Sequence, residues 1–392
     1  MRFEFATASR ILFGAGVARD VAAAAKKMGT RALVVTRRSG QAGAWLLKQL
    51  EAVGVSCSPL AVAGEPTLDV VRSGLVQGRQ ELCDLVIGFG GGSAIDAGKA
   101  IAALLTNPGE PLNYLEVIGR GQPLHCPPAP FIAIPTTAGT GSEVTRNAVL
   151  GSSEYRVKVS LRSPLMLPRL AAVDPELSLG LPPAVTGSTG LDALTQLIEP
   201  YVSARANALT DGICIEGLRR VRCSLRRAYH QGDDIAARTD MALASLLGGL
   251  ALANAALGVV HGFAAPIGGM FPAPHGAVCA GVLPYGMALN IRALRHRAPE
   301  SAHLRRYETV ARLLTDKPDA KPEEGVWWVS ELCRELGTLP LRSYGIGEAD
   351  VPILVEKASR ASSMKGNPIV LTADELREIL IGSLAGSEPS RR

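Results

Sequence analysis

Two imidazoles are the residues of this 392-residue chain whose surroundings most directly imply chemistry. His261 and His275 stand in Gly258-Val-Val-His-Gly-Phe-Ala-Ala-Pro-Ile-Gly-Gly-Met-Phe-Pro-Ala-Pro-His-Gly276, within a run from Met241 to Ile291 that holds no Asp, Glu, Lys or Arg. An imidazole in such company needs a hydrogen-bond partner, a metal or a substrate, because a buried unpaired polar group costs about 1–3 kcal/mol. Two core histidines bonded to backbone carbonyls would meet that need. The pattern argues for more. Each His is followed by Gly, which lets a backbone or ligand come close, and Pro266, Pro272 and Pro274 mark where the helical pattern must break. The segment reads as one wall of an active site.

A second chemistry is suggested by Gly88-x-Gly90-Gly91-Gly92-Ser93, at the end of the apolar run Asp84-Leu-Val-Ile-Gly-Phe-Gly90. Glycines at a strand's C-terminal end let backbone amides approach a pyrophosphate, and Ser93 is placed to cap the following helix, whose N-terminal dipole favours negative charge. Tight βα connections also use Gly for steric reasons, and this is not the G-x-G-x-x-G fingerprint. Phe131-Ile-Ala-Ile-Pro-Thr-Thr-Ala-Gly-Thr-Gly-Ser-Glu-Val-Thr145 then ends an apolar strand in a cluster of hydroxyls and free amides. It reads either as a plain polar loop or as a second lobe of the same cofactor cradle.

The elements that must carry these residues alternate in the first half. A short strand over Ile11–Gly16 enters a Gly turn and an Ala-rich helix over Val17–Met28. Arg31–Thr36 is a strand, a helix runs on to Leu50, Val55–Leu60 offers a third strand, and Asp84–Gly90 leads into a helix through Lys99. Such alternation is the signature of a parallel, doubly wound sheet. Leu177-Ser-Leu-Gly-Leu-Pro-Pro183 reads as a hinge, beyond which strand patterns vanish. Helices are expected over Thr189–Val202, Ala208–Tyr229, Ile235–Val260, Val278–Leu294, Arg305–Leu314 and Pro322–Leu336. The division is an α/β unit over residues 1–180 and an all-helical unit over 181–392.

Bulk properties agree. Apolar residues make up 47% of the chain, enough for two real cores, and the net charge of +5 suits an anionic cofactor or substrate without calling for nucleic acid. The basic run Arg219–Arg227 carries apolar Leu218, Val221 and Leu225 at helical spacing and reads as the solvated face of a packed helix. The uncharged run 241–291 exceeds the roughly 20 residues needed to cross a bilayer. Its Ala/Gly composition, Asn254, two His and four prolines fit a buried core helix better. The N-terminus has no apolar signal region, and the seven cysteines form no C-x-x-C pair. Free thiols in a cytoplasmic chain are expected, and the tail Gly386–Arg392 is expected to be disordered.

Taken together, Gly90-Gly-Gly-Ser93 with Asp96 and Lys99, Pro135-Thr-Thr-Ala-Gly-Thr-Gly-Ser-Glu-Val-Thr145, Asp174-Pro-Glu-Leu177, Gly190-Leu-Asp-Ala-Leu194 and the two-His segment resemble the iron-containing, or group III, alcohol dehydrogenases, in the same order along most of the chain. The resemblance implies an N-terminal Rossmann-like domain binding NAD(P), an all-helical C-terminal domain (the dehydroquinate synthase-like fold), a metal in the cleft between them and a homodimer. Carried over residue by residue, it makes Gly91, Gly92, Ser93, Asp96, Thr136, Thr137, Thr140, Thr145 and Lys158 cofactor contacts. It makes Asp192, Gln196, His261 and His275 the metal set, with His261 and His275 also catalytic.

Three departures bear on chemistry. Where NAD-preferring members carry Asp after the second strand, this chain has Arg37-Arg38-Ser39, which suits a 2′-phosphate and tilts the expectation to NADP. Gln196 replaces a family His, and a neutral amide oxygen is a poorer donor for Fe²⁺ or Zn²⁺. Either Asp192, His261 and His275 hold the ion with weak help, or the site works empty. Ala265 replaces a His associated with proton transfer, so the relay must use water, a ribose hydroxyl or the substrate. The expected activity is hydride transfer between NAD(P) and a small alcohol, aldehyde or ketone. The alternatives are a metal-independent oxo-acid reductase like the maleylacetate reductases, a dehydroquinate synthase-type lyase, and a non-catalytic binding protein.

Overall fold

The computed structural model describes residues 2–37, 41–152 and 154–386, apart from the side chains of 41 and 42. Arg38, Ser39 and the tail beyond Gly386 lie outside the described residues. The chain forms two compact units, one of residues 6–137 and 141–179, the other of residues 1–5, 138–140 and 180–392. The expected boundary near 180 thus has two exceptions, residues 1–5 and Ala138–Thr140 in the middle of the hydroxyl-rich loop, both of which belong with the helices. For the second the cause is local, since a side chain on Gly139 would start 2.7 Å from Thr189 Cβ.

The first unit contains strands β1 (Ile11–Phe13), β2 (Arg31–Arg37), β3 (Ser56–Val62), β4 (Leu85–Gly90), β5 (Phe131–Pro135), β6 (Asn147–Ser152), β7 (Val157–Arg162) and β8 (Leu170–Val173). Its helices are α1 (Val21–Lys26), α2 (Gln41–Ala52), α3 (Leu68–Gln80) and α4 (Gly92–Leu105). Six strands make a parallel sheet in the order β1-β8-β5-β4-β2-β3, and β6 and β7 form a separate antiparallel ribbon. Every residue of β4 and β5 is buried, as expected for strands covered on both faces. Side chains alternate across the sheet: Leu33 and Val35 pack into the core with Val71, Leu75, Ile101 and Leu104, whereas Ala32 and Val34 join Val21, Leu46 and Leu50 on the other side. Strand order reverses between β2 and β4, and ligands of open α/β sheets bind at the C-terminal strand ends beside such a reversal.

The second unit contains α5 (Pro183–Val202), α6 (Ala208–His230), α7 (Ile235–Ala255), α8 (Val259–Met270), α9 (His275–Arg297), α10 (Ala302–Thr315), α11 (Pro322–Glu335), α12 (Val351–Ser359) and α13 (Ala373–Ala385) around one aliphatic core. Helices α7 and α9 are long and apolar enough to cross a membrane, but 56% and 83% of their apolar windows are buried within the protein.

Three expectations are corrected here. The single helix over Ile235–Val260 is two helices. It breaks after Ala255, where the Ser203 hydroxyl donates to the Ala255 carbonyl at 2.6 Å and Ala256 takes a φ of 61°. Pro266 does not break the pattern but lies within α8, as Pro284 lies within α9, so packing outweighs the backbone hydrogen bond each forgoes. Finally, α9 begins at His275 rather than Val278, because Pro274 serves as its N-cap and ends the preceding turn.

Candidate functional site

In the helical unit the site begins with α5. Asp192 and Gln196 are one turn apart and Glu199 a further turn on, and all three side chains are buried. Glu199 and Asn367 then set the start of α8. The Val260 amide donates to Glu199 Oε1 at 2.7 Å and the Val259 amide to Asn367 Oδ1 at 3.0 Å, which satisfies first-turn donors that the N-cap residue Gly258 has no side chain to reach. Only Gly fits at 258, because a Cβ there would sit 2.9 Å from both acceptor oxygens.

The same Glu199 orients the first imidazole. Its Oε2 lies 2.7 Å from His261 Nδ1, so that nitrogen donates and Nε2 is left facing inward. Nε2 is 3.4 Å from Asp192 Oδ1, and His275 Nε2 is 3.7 Å from the same oxygen. Cys279, one turn after His275 on α9, brings its Sγ to 3.8 Å from His261 Nε2 and 3.7 Å from His275 Nε2. The four ligand atoms all lie within 4.8 Å of one another.

Charge in this cluster is strongly shared. Burial opposes ionisation of every member, yet His275 and His261 hold the Asp192 carboxyl below its ordinary range. Burial would push His261 down, but Cys279, Asp192 and Glu199 hold it well above the usual imidazole range, and Cys279 and Asp192 raise His275 likewise. The Cys279 thiol, against its burial, is lowered by the two imidazoles. Asp192 Oδ1 is buried without a hydrogen-bond partner among the described residues. That orphaned oxygen facing two imidazole nitrogens fits a cation. The 3.4–3.8 Å separations also match the ligand–ligand edges, about 3.3–3.8 Å, of a tetrahedron with bonds of ~2.0–2.3 Å. Gln196, one turn after Asp192, helps to hold that carboxyl low, and its own Oε1 is likewise buried without a hydrogen-bond partner among the described residues. Ala265 is half-buried one turn after His261.

In the α/β unit, register sets Gly90 beside Pro135, and the Thr136 amide donates to the Gly90 carbonyl at 2.9 Å. The two loops flagged from sequence are therefore neighbours at adjoining strand ends. Gly90 has a φ of 155°, and a Cβ on it would meet Ala94 at 2.8 Å. Ser93 does not cap α4 as expected. The N-cap is Gly91, and Ser93 is the second helical residue, so the first-turn amides have no side-chain cap. Thr137 lies against Gly91, and Gly92 opens the helix. Arg37 is exposed at the end of β2, its backbone beside the Gly90 turn.

Asp96, Thr145 and Lys158 each have partners within the protein. Lys99, 1% exposed, donates to the Ser142 carbonyl (2.7 Å), the Thr145 hydroxyl (3.0 Å) and the Asn147 carbonyl (2.8 Å). Asp96 accepts from the Val149 amide at 3.0 Å and lies 3.8 Å from the Lys99 ammonium. These residues tie the loop to α4, a structural role that the expectation of direct cofactor contact by Asp96 and Thr145 did not include. Lys158 is paired with Glu65 at 3.0 Å. Thr140 sits in the short segment that belongs with the helices. Glu199 and Cys279 join the carboxylate–imidazole cluster without having been among the expected site residues. The spacings that point to them are Asp192 to Glu199, two turns of one helix, and His275 to Cys279, one turn of another.

A Gly-rich turn at the switch of a parallel sheet and a helical unit carrying a buried carboxylate–imidazole centre are the two parts expected of a nicotinamide-dependent, metal-assisted oxidoreductase. The model of the "Iron-containing alcohol dehydrogenase" family matches residues 8–175, and that of the "Fe-containing alcohol dehydrogenase family, C-terminal" matches 186–384. The chain belongs to the iron-containing alcohol dehydrogenase family and is an alcohol dehydrogenase or carbonyl reductase. It is 38% identical to 1,3-propanediol dehydrogenase of Klebsiella pneumoniae over 300 residues (76% of this chain, 75% of the relative). To lactaldehyde reductase of Escherichia coli it is 33% identical over 373 residues (94% and 96%). A crystal structure of 1,3-propanediol oxidoreductase superposes with a TM-score of 0.90 at 32% identity, covering 98% of this chain and 100% of the other. A sulfoacetaldehyde reductase from Bifidobacterium kashiwanohense in complex with NAD+ gives 0.85 at 26% identity, covering 98% and 99%. These relatives favour alcohol and aldehyde chemistry over the oxo-acid reductase, lyase and binding-protein alternatives.

Proposed function

We propose that this chain reduces small aldehydes to alcohols, and catalyses the reverse oxidation, with a nicotinamide cofactor and a divalent metal. The observation that carries the metal half is the buried, unpartnered Asp192 Oδ1 facing His261 and His275 Nε2. Asp192, His261 and His275 would hold Fe²⁺ or Zn²⁺; such an ion supplies a Lewis acid that polarises a carbonyl, while NAD(P)H supplies the hydride. Glu199 keeps His261 in the tautomer whose Nε2 is free to ligate. Gln196, one turn after Asp192, helps to hold its carboxyl in the ionised form. Asp192, Gln196 and His261 are nearly sealed from solvent, which strengthens each polar interaction around them.

The Gly91–Ser93 amides and the Thr136–Thr137 segment are the parts of the α/β unit suited to an anionic pyrophosphate. Exposed Arg37 beside that turn supports NADP over NAD, since guanidinium attracts a 2′-phosphate. With a methyl at Ala265 the proton for the product alkoxide comes from water, a ribose hydroxyl or the substrate. A homodimer in the cytoplasm completes the proposal. It rests on the family resemblance and on the burial of both long apolar helices.

The test is initial-rate measurement on iron- or zinc-reconstituted protein with lactaldehyde and 3-hydroxypropanal, using NADPH and NADH side by side. Turnover with a higher kcat/KM for NADPH, reversed or abolished by Arg37→Asp, is expected. Absence of turnover with both cofactors sinks the reading, and equal use of the two sinks the NADP preference alone.

A further inference from the structure

We propose that Cys279 is a metal ligand of this chain, its thiolate completing with Asp192, His261 and His275 the set that the glutamine at 196 leaves one strong donor short. The inference rests on the metal-assisted reading above and adds a ligand that the family pattern does not contain.

Four observations carry it. Cys279 Sγ is fully buried, and the partners it has are the two imidazole nitrogens that face Asp192, at 3.8 and 3.7 Å. Those nitrogens are the available ones: His261 Nδ1 is engaged by Glu199, so Nε2 must ligate, and it is Nε2 of His275 that approaches both Asp192 and Cys279. All four ligand atoms fall within 4.8 Å of one another. Gln196, by contrast, offers only a neutral amide oxygen, a poorer donor than a thiolate for such an ion.

The chemistry is compensatory. A His at 196 would have given an oxygen-and-imidazole set, whereas Asp192, His261, His275 and Cys279 form an O/N/N/S set of the same size. Ligand number is kept, so a substrate oxygen can still add as a fifth donor. The softer sulfur moves preference from Fe²⁺ toward Zn²⁺. On binding, the thiol loses its proton to solvent and the sulfur lone pair forms the new bond, with no change of oxidation state.

The experiment is X-ray absorption at the zinc edge of the zinc-loaded full chain, with optical spectra of the cobalt-loaded protein. One sulfur scatterer at about 2.3 Å and a near-ultraviolet thiolate-to-cobalt band are expected, the band disappearing in Cys279→Ser. Metal affinity should fall by at least about tenfold in Cys279→Ser and return, without the band, in Cys279→Ser/Gln196→His. If Cys279→Ser does not fold, the absorption data on the unaltered chain still decide. A nitrogen-and-oxygen shell with no sulfur, in protein that turns over NAD(P)H, overturns the thiolate and leaves the enzymatic reading standing. Failure to bind metal in protein that still turns over overturns both the thiolate and the metal assignment.

Discussion

At the scale of single residues, the centre depends on a group that need not touch the metal. Glu199 uses both oxygens, one to cap α8 through the Val260 amide and one to fix His261. Replacing it by Gln keeps the shape but removes the charge that favours Nδ1–H donation and raises ligand basicity. Glu199→Gln should weaken zinc binding by about 10–100-fold with little change in far-ultraviolet circular dichroism; competition with a chromophoric chelator measures this, and unchanged affinity would refute the positioning role. The contrast with Cys279 shows what sequence can and cannot reveal. His261 and His275 were legible because ionisable side chains in apolar surroundings need partners, and Asp192 through the family resemblance of Gly190-Leu-Asp-Ala-Leu194. Cys279 was not, because cysteine is an ordinary small core residue. Moreover, starting the last site helix at Val278 left His275 in a turn. Only with α9 starting at His275 do the imidazole and the thiol fall one turn apart on a shared face. Glu199 was hidden differently, since its partner lies 62 residues away.

At the scale of elements, the βα alternation, the hydrophobic runs and the Gly turn fixed the sheet unit well, because a parallel strand buried on both faces has a composition few other elements share. The helix boundaries around the site were less legible. They are set by tertiary groups, Ser203 on the α7 end and Glu199 and Asn367 on the α8 start, which local sequence does not contain. The hydroxyl-rich loop likewise has a role beyond its composition. Its Glu143 is 2% exposed, and burial pushes its carboxyl up from 4.5 to about 7, partly offset by a backbone hydrogen bond and Lys99. A carboxyl with a raised folded-state value is most favourable to folding while protonated. Between about pH 4.5 and 7 the unfolded chain has given up this proton and the folded one has not, so stability falls as pH rises through that window. The loss amounts to roughly 3 kcal/mol for such a shift. Urea unfolding across this range should show that decline in the wild type relative to Glu143→Gln, whose carboxamide cannot ionise. Parallel curves for the two proteins would count against it.

At the scale of the whole molecule, the two cores are chemically separate supports for two kinds of ligand. The sheet unit has an apolar layer on each face and carries the Gly-rich turn; the helical unit has its own core and carries the buried centre. A ligand stabilises the structure that binds it by mass action, about 2.7 kcal/mol when free ligand is a hundredfold above its Kd. Zinc or iron should therefore act through the helical unit, and NADPH through the sheet unit. Differential scanning calorimetry of the full chain should show metal removal by a chelator lowering the temperature of one component, and NADPH raising that of the other. Limited proteolysis with peptide mapping identifies them: loss of metal should expose sites within residues 183–385, whereas NADPH should protect sites within 11–173. A single transition that shifts equally with either ligand, or cleavage in the sheet unit provoked by chelation alone, would show that metal and cofactor do not act through separate cores. If both responses separate as stated, each ligand's free energy is traced to the core that holds its side chains. Asp192, His261 and His275 then depend for their geometry on the packing of α5, α8 and α9.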